Sequence, residues 1–371
     1  MIILIAPIFT EKILNKYRAT SPAASKWCST FAKHLAKYEE VVCISAINCS
    51  MFPKGVFKIE EERYNKPVRT KMVSYINIPL YRISNISKKI IKEIDILNKK
   101  NNISYVITYN KTKVNIKIGK YLNKKNIKWA SLYADANRNI DLVSNADFHI
   151  YFSYDAYIRS KYNNKYNYEG GIYDFVPKKY EENRKSIILY TGAIRKENGI
   201  DIMIEAFKKI ENKDAKLLIC GKGMYNEFKN RIENDKRIEY LGLVSKKYLN
   251  ILYKSATAFI NPRLSKYKEN NNNFPSKLLD YFSYGKPIIS TDTKGINPKY
   301  KKMMYLIKNE NSDSIKKAIE HVLNLSKAEK IEVFERIKIF SITENSWDIN
   351  TNMLKIWMKK VGESYEKRKK T

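Results

Sequence analysis

Residues 269–291 read ENNNNFPSKLLDYFSYGKPIIST. A polar run ends at Phe274-Pro275-Ser276, and an apolar stretch with helical spacing follows. Gly285-Lys286-Pro287 interrupts it, and a β-rich run begins at Ile288. Helix, tight turn and buried strand in such close succession belong to a βαβ unit. The four asparagines beside it look like low-complexity filler, which is out of place against so compact a unit. The expectation is that the junction is a binding site, with the asparagines as a flexible lip and Phe-Pro-Ser opening the helix that holds the ligand.

The same alternation extends to both sides. SIILYTG (186–192), AKLLICG (215–221), RIEYLG (237–242) and TAFINP (257–262) read as strands. IDIMIEAFKKI (200–210), YNEFKNRIEN (225–234) and SKKYLNILYKSA (245–256) read as the helices between them. MYLI (304–307) and SDSIKKAIEHVLNL (312–325) close the unit. Such alternation predicts a mostly parallel, doubly wound sheet with helices on both faces. The first half alternates less cleanly. MIILIA (1–6), VVCISA (41–46), VSYINI (73–78), ISYVITYN (103–110), IKWASLYAD (127–135) and ADFHIYFS (146–153) read as strands. Helices are expected over 25–38, near 84–99 and ending within 119–126. EGGIYDFVPKKYEENRKS (169–186) combines paired glycines, a proline and a charge run, and marks the domain boundary. The prediction is an α/β chain of two Rossmann-like doubly wound domains, 1–175 and 186–345. Residues 346–371 follow as a helix and basic tail that packs back toward the first domain.

With 371 residues, 44% of them hydrophobic and 12% aromatic, each half has the material for its own core. The apolar opening MIILIAPIF is far shorter than the ~20 residues that cross a bilayer. It also lacks the flank and cleavage site of a signal peptide, so a cytoplasmic location is expected. Cys28, Cys43, Cys49 and Cys220 show no paired spacing, and His34, His149 and His321 are scattered. No metal site is predicted, and the thiols are expected to be free. The net charge of +32 has two readings. Lys, Asn, Ile and Tyr are all abundant, as in a compositionally biased genome; alternatively, the protein meets an anionic partner. The halves are almost equally basic, yet residues 51–130 hold 19 basic and 5 acidic side chains. In the 84–99 helix the lysines fall mostly off the face of Ile86, Ile90, Ile94 and Leu97, which an ordinary solvated surface also gives.

In open parallel sheets, ligands sit at the carboxyl ends of the strands. The loop TGAIRKENGID offers Gly192 for close backbone approach, with Arg195 and Lys196 for charge. CGKGMYN places Gly221 and Gly223 between strand and helix, a Gly-x-Gly without the third glycine. NPRLSKYKENNNNFPS carries Arg263 at the strand end, then Asn272, Asn273, Phe274 and Pro275. Ser276 stands at the cap position, which leaves the N–H groups of Lys277 and Leu278 as donors for an anion. Asp280 lies one turn in. Each loop alone is ordinary turn chemistry. Together they suit a ligand with a diphosphate, met by helix N–H groups, Arg195 and Lys277, and a vicinal diol, held by a carboxylate. A nucleotide-diphosphate sugar has both.

The succession YTGAIRKENGIDIMIEAF, LLICGKG, RIEYLGLVS, INPR and FPSKLLDYFSYGKPIIST resembles the nucleotide-binding domain of retaining GT-B glycosyltransferases. It is most similar to the family 4 type that builds bacterial capsule and other surface polysaccharides. The resemblance spans about residues 170–345; in the first half only YVITYN, the strand ending at Asp135 and EGGIYDFVP are similar. It implies two domains facing a cleft, the first for the acceptor and the second for a UDP- or GDP-linked sugar. The family carries two acidic residues separated by seven. The second, for the ribose, falls on Asp280. The first, for the transferred sugar, falls on Asn272, which can donate and accept hydrogen bonds but brings no charge. The Arg expected after Gly192 is Ala193, so the resemblance carries the diphosphate clamp to Arg195, with Lys277 as the second cation.

The implied reaction is a retaining transfer to a lipid-linked or saccharide acceptor, without a metal or other cofactor. No DxD sequence occurs. Cations and helix N–H groups stabilise the leaving diphosphate, and the donor phosphate takes the acceptor proton. Asp135 is the candidate for orienting acceptor or sugar; a strand-terminating Asp is the alternative. The basic 51–130 region and the tail would meet anionic headgroups on the inner face of the membrane, at ~1 kcal/mol per Lys or Arg. Two other readings keep the fold. A sugar-nucleotide 2-epimerase leans on His and Glu side chains, which are scarce in these loops. A non-catalytic partner subunit is the reading that Asn272 favours. A nucleic-acid-binding protein is the reading of a different class; the charge permits it but is diffuse, and no nucleic-acid motif occurs.

Overall fold

The computed structural model describes residues 1–17, 22–135, 145–182 and 185–370, with side chains to residue 363. The chain divides into two compact units. Unit 1 comprises Met1–Phe152, Tyr157–Gly170 and Asn350–Thr371; unit 2 comprises Ser153–Ala156 and Gly171–Ile349.

Unit 1 carries β1 (Ile2–Ile5), β2 (Val41–Ser45), β3 (Lys58–Ile59), β4 (Glu62–Tyr64), β5 (Arg69–Met72), β6 (Tyr75–Ile76), β7 (Tyr105–Tyr109), β8 (Trp129–Tyr133), β9 (Phe148–Tyr151) and β10 (Lys165–Asn167). Eight of them form one sheet in the order β10-β9-β8-β7-β1-β2-β5-β4, parallel except at β4. β1 and β2 are buried along their whole length, which is why they read as unbroken apolar runs rather than alternating ones. On the Arg82–Lys100 helix, Ile86, Ile90 and Ile94 recur every fourth residue and are the apolar residues it buries. The strand expected over 73–78 is displaced. The sheet strand is β5, and Tyr75–Ile76 pair antiparallel with Lys58–Ile59 in a separate ribbon. β5 (RTKM) alternates exposed and buried positions, so it lacks the apolar run that betrays a central strand.

From Asn350 the Trp347–Lys370 helix belongs to unit 1. Asn350 Nδ2 donates to Gly170 O at 2.6 Å, and the Trp357 ring lies 5.7 Å from Phe148 and 5.0 Å from Tyr166. The side chains of the basic tail beyond residue 363 lie outside the described residues. Among the described residues, no helix is long and apolar enough to cross a membrane. Cys28, Cys43, Cys49 and Cys220 are free thiols.

Unit 2 carries β11 (Ile187–Thr191), β12 (Lys216–Cys220), β13 (Ile238–Gly242), β14 (Ala258–Asn261), β15 (Ile288–Thr291) and β16 (Tyr305–Ile307). All are parallel, in the order β13-β12-β11-β14-β15-β16. Met203, Ile204 and Phe207 of the Ile200–Lys208 helix pack with Ile315 and Ile319 of the Ser312–Leu323 helix and with Ile188 and Ile260 of the central strands. The strand order reverses between β11 and β14. That reversal is the switch point of a doubly wound sheet, where the loops part and leave room for a ligand.

Candidate functional site

β11 ends at Thr191, whose N–H donates to the Tyr281 hydroxyl at 2.9 Å. Tyr281 in turn stacks on Phe259 of β14 with ring centres 4.5 Å apart. These contacts seat the Lys277–Phe282 helix on the two strands that flank the switch point.

Two cations meet at this edge. Lys277 places Nζ 3.9 Å from the centre of the Tyr190 ring. Arg263, two residues beyond β14, donates from Nη1 to Asn273 Oδ1 at 2.6 Å. Its Nε is buried with no hydrogen-bond partner. Burial holds the Arg263 guanidinium below its usual range. Burial first, and the charge of Arg263 second, push the Lys277 ammonium well below the usual lysine range. Among the described residues, no carboxylate acts on either group. Desolvated like charges without a counterion raise the free energy of the fold, and an anion beside them lowers it.

The loop after β11 leaves space for one. At Gly192 (φ +144°) a Cβ would lie 3.1 Å from the Tyr190 hydroxyl and 3.7 Å from Lys277 Nζ, so glycine keeps the side of the ammonium open. Gly221 and Gly223 face protein. A Cβ on Gly221 would fall 1.7 Å from Gly192 O, and one on Gly223 would fall 2.2 Å from Ile194 O. They let the β12 loop lie flat on the β11 loop, where Gly192 N–H donates to Cys220 O at 2.9 Å and Ile194 N–H to Lys222 O at 3.0 Å. The close approach that the Gly-x-Gly provides is therefore to neighbouring backbone.

The asparagine run is a brace and not a flexible lip. Lys268–Asn272 form a short helix. The buried Asn270 donates from Nδ2 to Glu197 O at 2.6 Å and to Leu264 O at 2.9 Å, which ties the β11 loop to the β14 loop. Asn271 donates to Ser265 O at 2.7 Å and accepts from Lys294 N–H at 3.0 Å. An amide that both donates and accepts is the side chain such a junction of backbone groups requires. Asn272 is half-buried on the same helix, beside these braces.

The helix start also departs from expectation. Ser276 has helical backbone angles (φ −54°, ψ −22°) and makes no side-chain cap bond. The turn begins one residue early, so Leu278 N–H donates to Pro275 O at 2.9 Å and is not an open donor. Phe274 and Pro275 are buried, with the Phe274 ring 5.1 Å from Tyr300. What this corner turns toward the edge is the cation pair.

Asp280 is half-buried in the first turn. After burial, its charge is the next cause that raises the Tyr253 hydroxyl and that pushes Tyr284 up to about 12. Arg195 is exposed, with Nη1 3.6 Å from Glu197 Oε1. Asp135 belongs to unit 1 and is exposed. Its carboxylate accepts from Asn110 Nδ2 at 3.0 Å, while Asn110 Oδ1 accepts from the N–H groups of Ala134 and Asp135. Sequence reasoning missed Tyr190, Asn198 and Glu310. Tyr190 sits inside an apolar strand and reads as core. Asn198 donates to Ala193 O at 2.8 Å, and Glu310 accepts from Ser265 N–H at 2.8 Å with each oxygen; neither position carries a sequence signal.

The chain has counterparts among known proteins. Residues 173–335 match the family described as Glycosyl transferases group 1. That stretch is most of unit 2. The chain is also similar along its length to solved structures. Sucrose-phosphate synthase from Thermosynechococcus elongatus aligns with a TM-score of 0.66 at 16% identity, over 98% of this chain and 99% of that one. A glycosyltransferase from Rickettsia africae aligns at 0.70 and 16%, over 97% and 98%. HepE of Anabaena, solved in complex with UDP and glucose, aligns at 0.67 and 11%, over 97% and 100%. The fold is GT-B. Among curated proteins none matches the chain.

Proposed function

We propose that this protein is a retaining glycosyltransferase that moves a sugar from a UDP- or GDP-linked donor to a lipid-linked or saccharide acceptor in the synthesis of a surface polysaccharide. The observation that carries the proposal is the desolvated pair Arg263 and Lys277 at the switch point of a parallel sheet, with no carboxylate acting on it among the described residues. A diphosphate supplies the missing charge. The family description of residues 173–335 supports the chemistry. So do the relatives of the same fold: HepE was solved with UDP and glucose, and WaaG is described as a glycosyltransferase of lipopolysaccharide biosynthesis.

In this reading the bond from the sugar's anomeric carbon to the diphosphate oxygen breaks, and its electron pair stays on the diphosphate. Lys277 and Arg263 stabilise the charge that grows there. Arg195 adds a third cation from the rim. Asp280 holds the ribose hydroxyls, and Asn272 meets the transferred sugar. The acceptor oxygen forms the new bond, and its proton passes to the departing phosphate, so no protein base and no metal is needed. Unit 1, which carries Asp135, takes the acceptor. In the same reading the basic stretch 51–130 and the C-terminal tail meet anionic headgroups on the cytoplasmic face of a membrane. The test is a transfer assay with UDP- and GDP-sugars against lipid-linked and oligosaccharide acceptors, with the product anomer read by NMR. Retained configuration with release of one nucleoside diphosphate is expected. Inverted product, or no turnover of any donor together with no nucleotide binding, contradicts the reading.

A further inference from the structure

Met51, Phe52, Val56, Phe57, Leu80 and Tyr81 of unit 1 are all exposed, and Leu80 fully so at 103%. The two segments that bear them are fastened together. The buried Asn77 donates from Nδ2 to Ser50 O at 2.8 Å and to Val56 O at 2.9 Å. Its backbone N–H donates to Phe57 O at 2.7 Å, and its carbonyl accepts from Phe52 N–H at 3.0 Å. Arg82 Nη1 donates to Cys49 O at 3.0 Å. The Phe52 and Phe57 rings meet edge to face, 5.7 Å apart. Leu80 adopts φ +65°, a left-handed backbone that a leucine rarely takes. A buried polar hub thus holds apolar side chains outward instead of letting them collapse on the core. Scattered exposed apolar residues are ordinary, but a cluster on ordered loops marks an interaction surface.

The charges nearby identify the partner. Every carboxylate within residues 51–130 is engaged. Glu60 lies 3.2 Å from Lys58, Glu61 2.8 Å from Arg63, Glu62 3.5 Å from Lys16 and Glu93 2.5 Å from Lys71. Asp95 accepts from the Tyr121 hydroxyl. Lys88, Lys89, Lys92, Lys99 and Lys100 are exposed and, among the described residues, form no ion pair. Lys88, Lys92 and Lys99 recur at helical spacing on the face that Tyr81 begins. A basic stripe therefore runs back from an apolar tip. A second copy of this chain, at +32, offers such a stripe no complement.

We propose that residues 51–57 and 80–81 form a preordered wedge that inserts into the interface of an anionic bilayer, while the exposed face of the Arg82–Lys100 helix lies along the headgroups. Apolar side chains reach the acyl boundary, and the ammonium groups stay at headgroup level. The inference deepens the membrane part of the reading above and is independent of the transfer chemistry.

The test is flotation with phosphatidylcholine vesicles, with and without phosphatidylglycerol, at low and high salt. The tip variant is Phe52→Ser with Phe57→Ser and Leu80→Ser; the stripe variant is Lys88→Gln with Lys92→Gln and Lys99→Gln. Wild type is expected to bind only the anionic vesicles, with part of the binding surviving high salt. The stripe variant should lose affinity about a hundredfold at low salt. The tip variant should lose on the order of tenfold or more, including the salt-resistant part. Phe57→Trp should gain emission that brominated lipids quench. An unchanged nucleotide-induced thermal shift in the tip variant shows that its fold and donor site are intact. Absence of vesicle binding, or a tip variant that binds like wild type with Trp at position 57 unquenched, overturns the proposal. Self-association of wild type that the tip variant abolishes also overturns it, in favour of a second copy.

Discussion

The Lys277 ammonium stands 3.9 Å from the centre of the Tyr190 ring, and the charge that acts on it is that of a second cation, Arg263. The ring face offsets part of the repulsion, at about 0.5–2 kcal/mol for such a contact. An anion bound beside the pair would offset more of it.

Lys277→Met removes the charge and keeps the stem. The free protein is expected to become more stable, at about 2–4 °C in midpoint for each kcal/mol in a unit of this size. The same variant is expected to lose its response to nucleoside diphosphates. A thermal melt with and without UDP reads both; a less stable variant that still responds contradicts the assignment.

The pH dependence has a definite sign. The folded pKa of Lys277 is lowered, against ~10.4 in the unfolded chain. Between those two values the unfolded chain binds more protons. The stability of the free protein from this group therefore rises with pH across that window. Below the folded value the unfavourable contribution is constant. A bound diphosphate favours the protonated amine, so its affinity is expected to be highest below the folded pKa and to fall above it. Titration calorimetry with UDP as a function of pH measures this, and the fall should be absent in Lys277→Met.

Asn270→Ala leaves the carbonyls of Glu197 and Leu264 without their shared donor. Each carbonyl keeps one backbone donor, Leu264 N–H for Glu197 O and Tyr267 N–H for Leu264 O, so the loss is that of two hydrogen bonds at about 0.5–1.5 kcal/mol each, and the midpoint should drop. Asn272→Ala should change sugar preference, read as the ratio of kcat/KM between two donor sugars. An unchanged ratio would remove Asn272 from the sugar contact.

Gly221→Ala drives a Cβ to 1.7 Å from Gly192 O. It is expected to destabilise by about 4 kcal/mol, at the high end for one substitution. Gly192→Ala meets the Tyr190 hydroxyl at 3.1 Å and crowds Lys277 Nζ at 3.7 Å. It should weaken nucleotide binding more than it weakens the fold. Chemical denaturation beside calorimetry separates the two effects.

Much of the fold was legible because its central strands are buried on both faces. β1, β2, β11, β14 and β15 announce themselves as apolar runs, and the helices between strands by spacing. β5 was not legible, since a strand whose exposure alternates carries no such run, although it is paired on both sides by β2 and β4. At the site, the loops and Lys277 could be read from strand ends. The brace at Asn270 and the early turn at Pro275 could not. A hydrogen bond between residues 73 positions apart leaves no local pattern, and an asparagine looks the same whether it braces backbone or fills a loop.

The measurement that tests the central claim most directly is a thermal-shift screen of UDP, GDP, ADP and CMP on wild type, Lys277→Met and Asp280→Ala. A site held at a hundred times its dissociation constant should stabilise by ~2.7 kcal/mol. One nucleoside diphosphate is predicted to raise the midpoint of wild type, with the rise lost in both variants and CMP inactive for want of a second phosphate. No shift with any diphosphate, or an equal shift in Lys277→Met, would contradict the donor site described for unit 2.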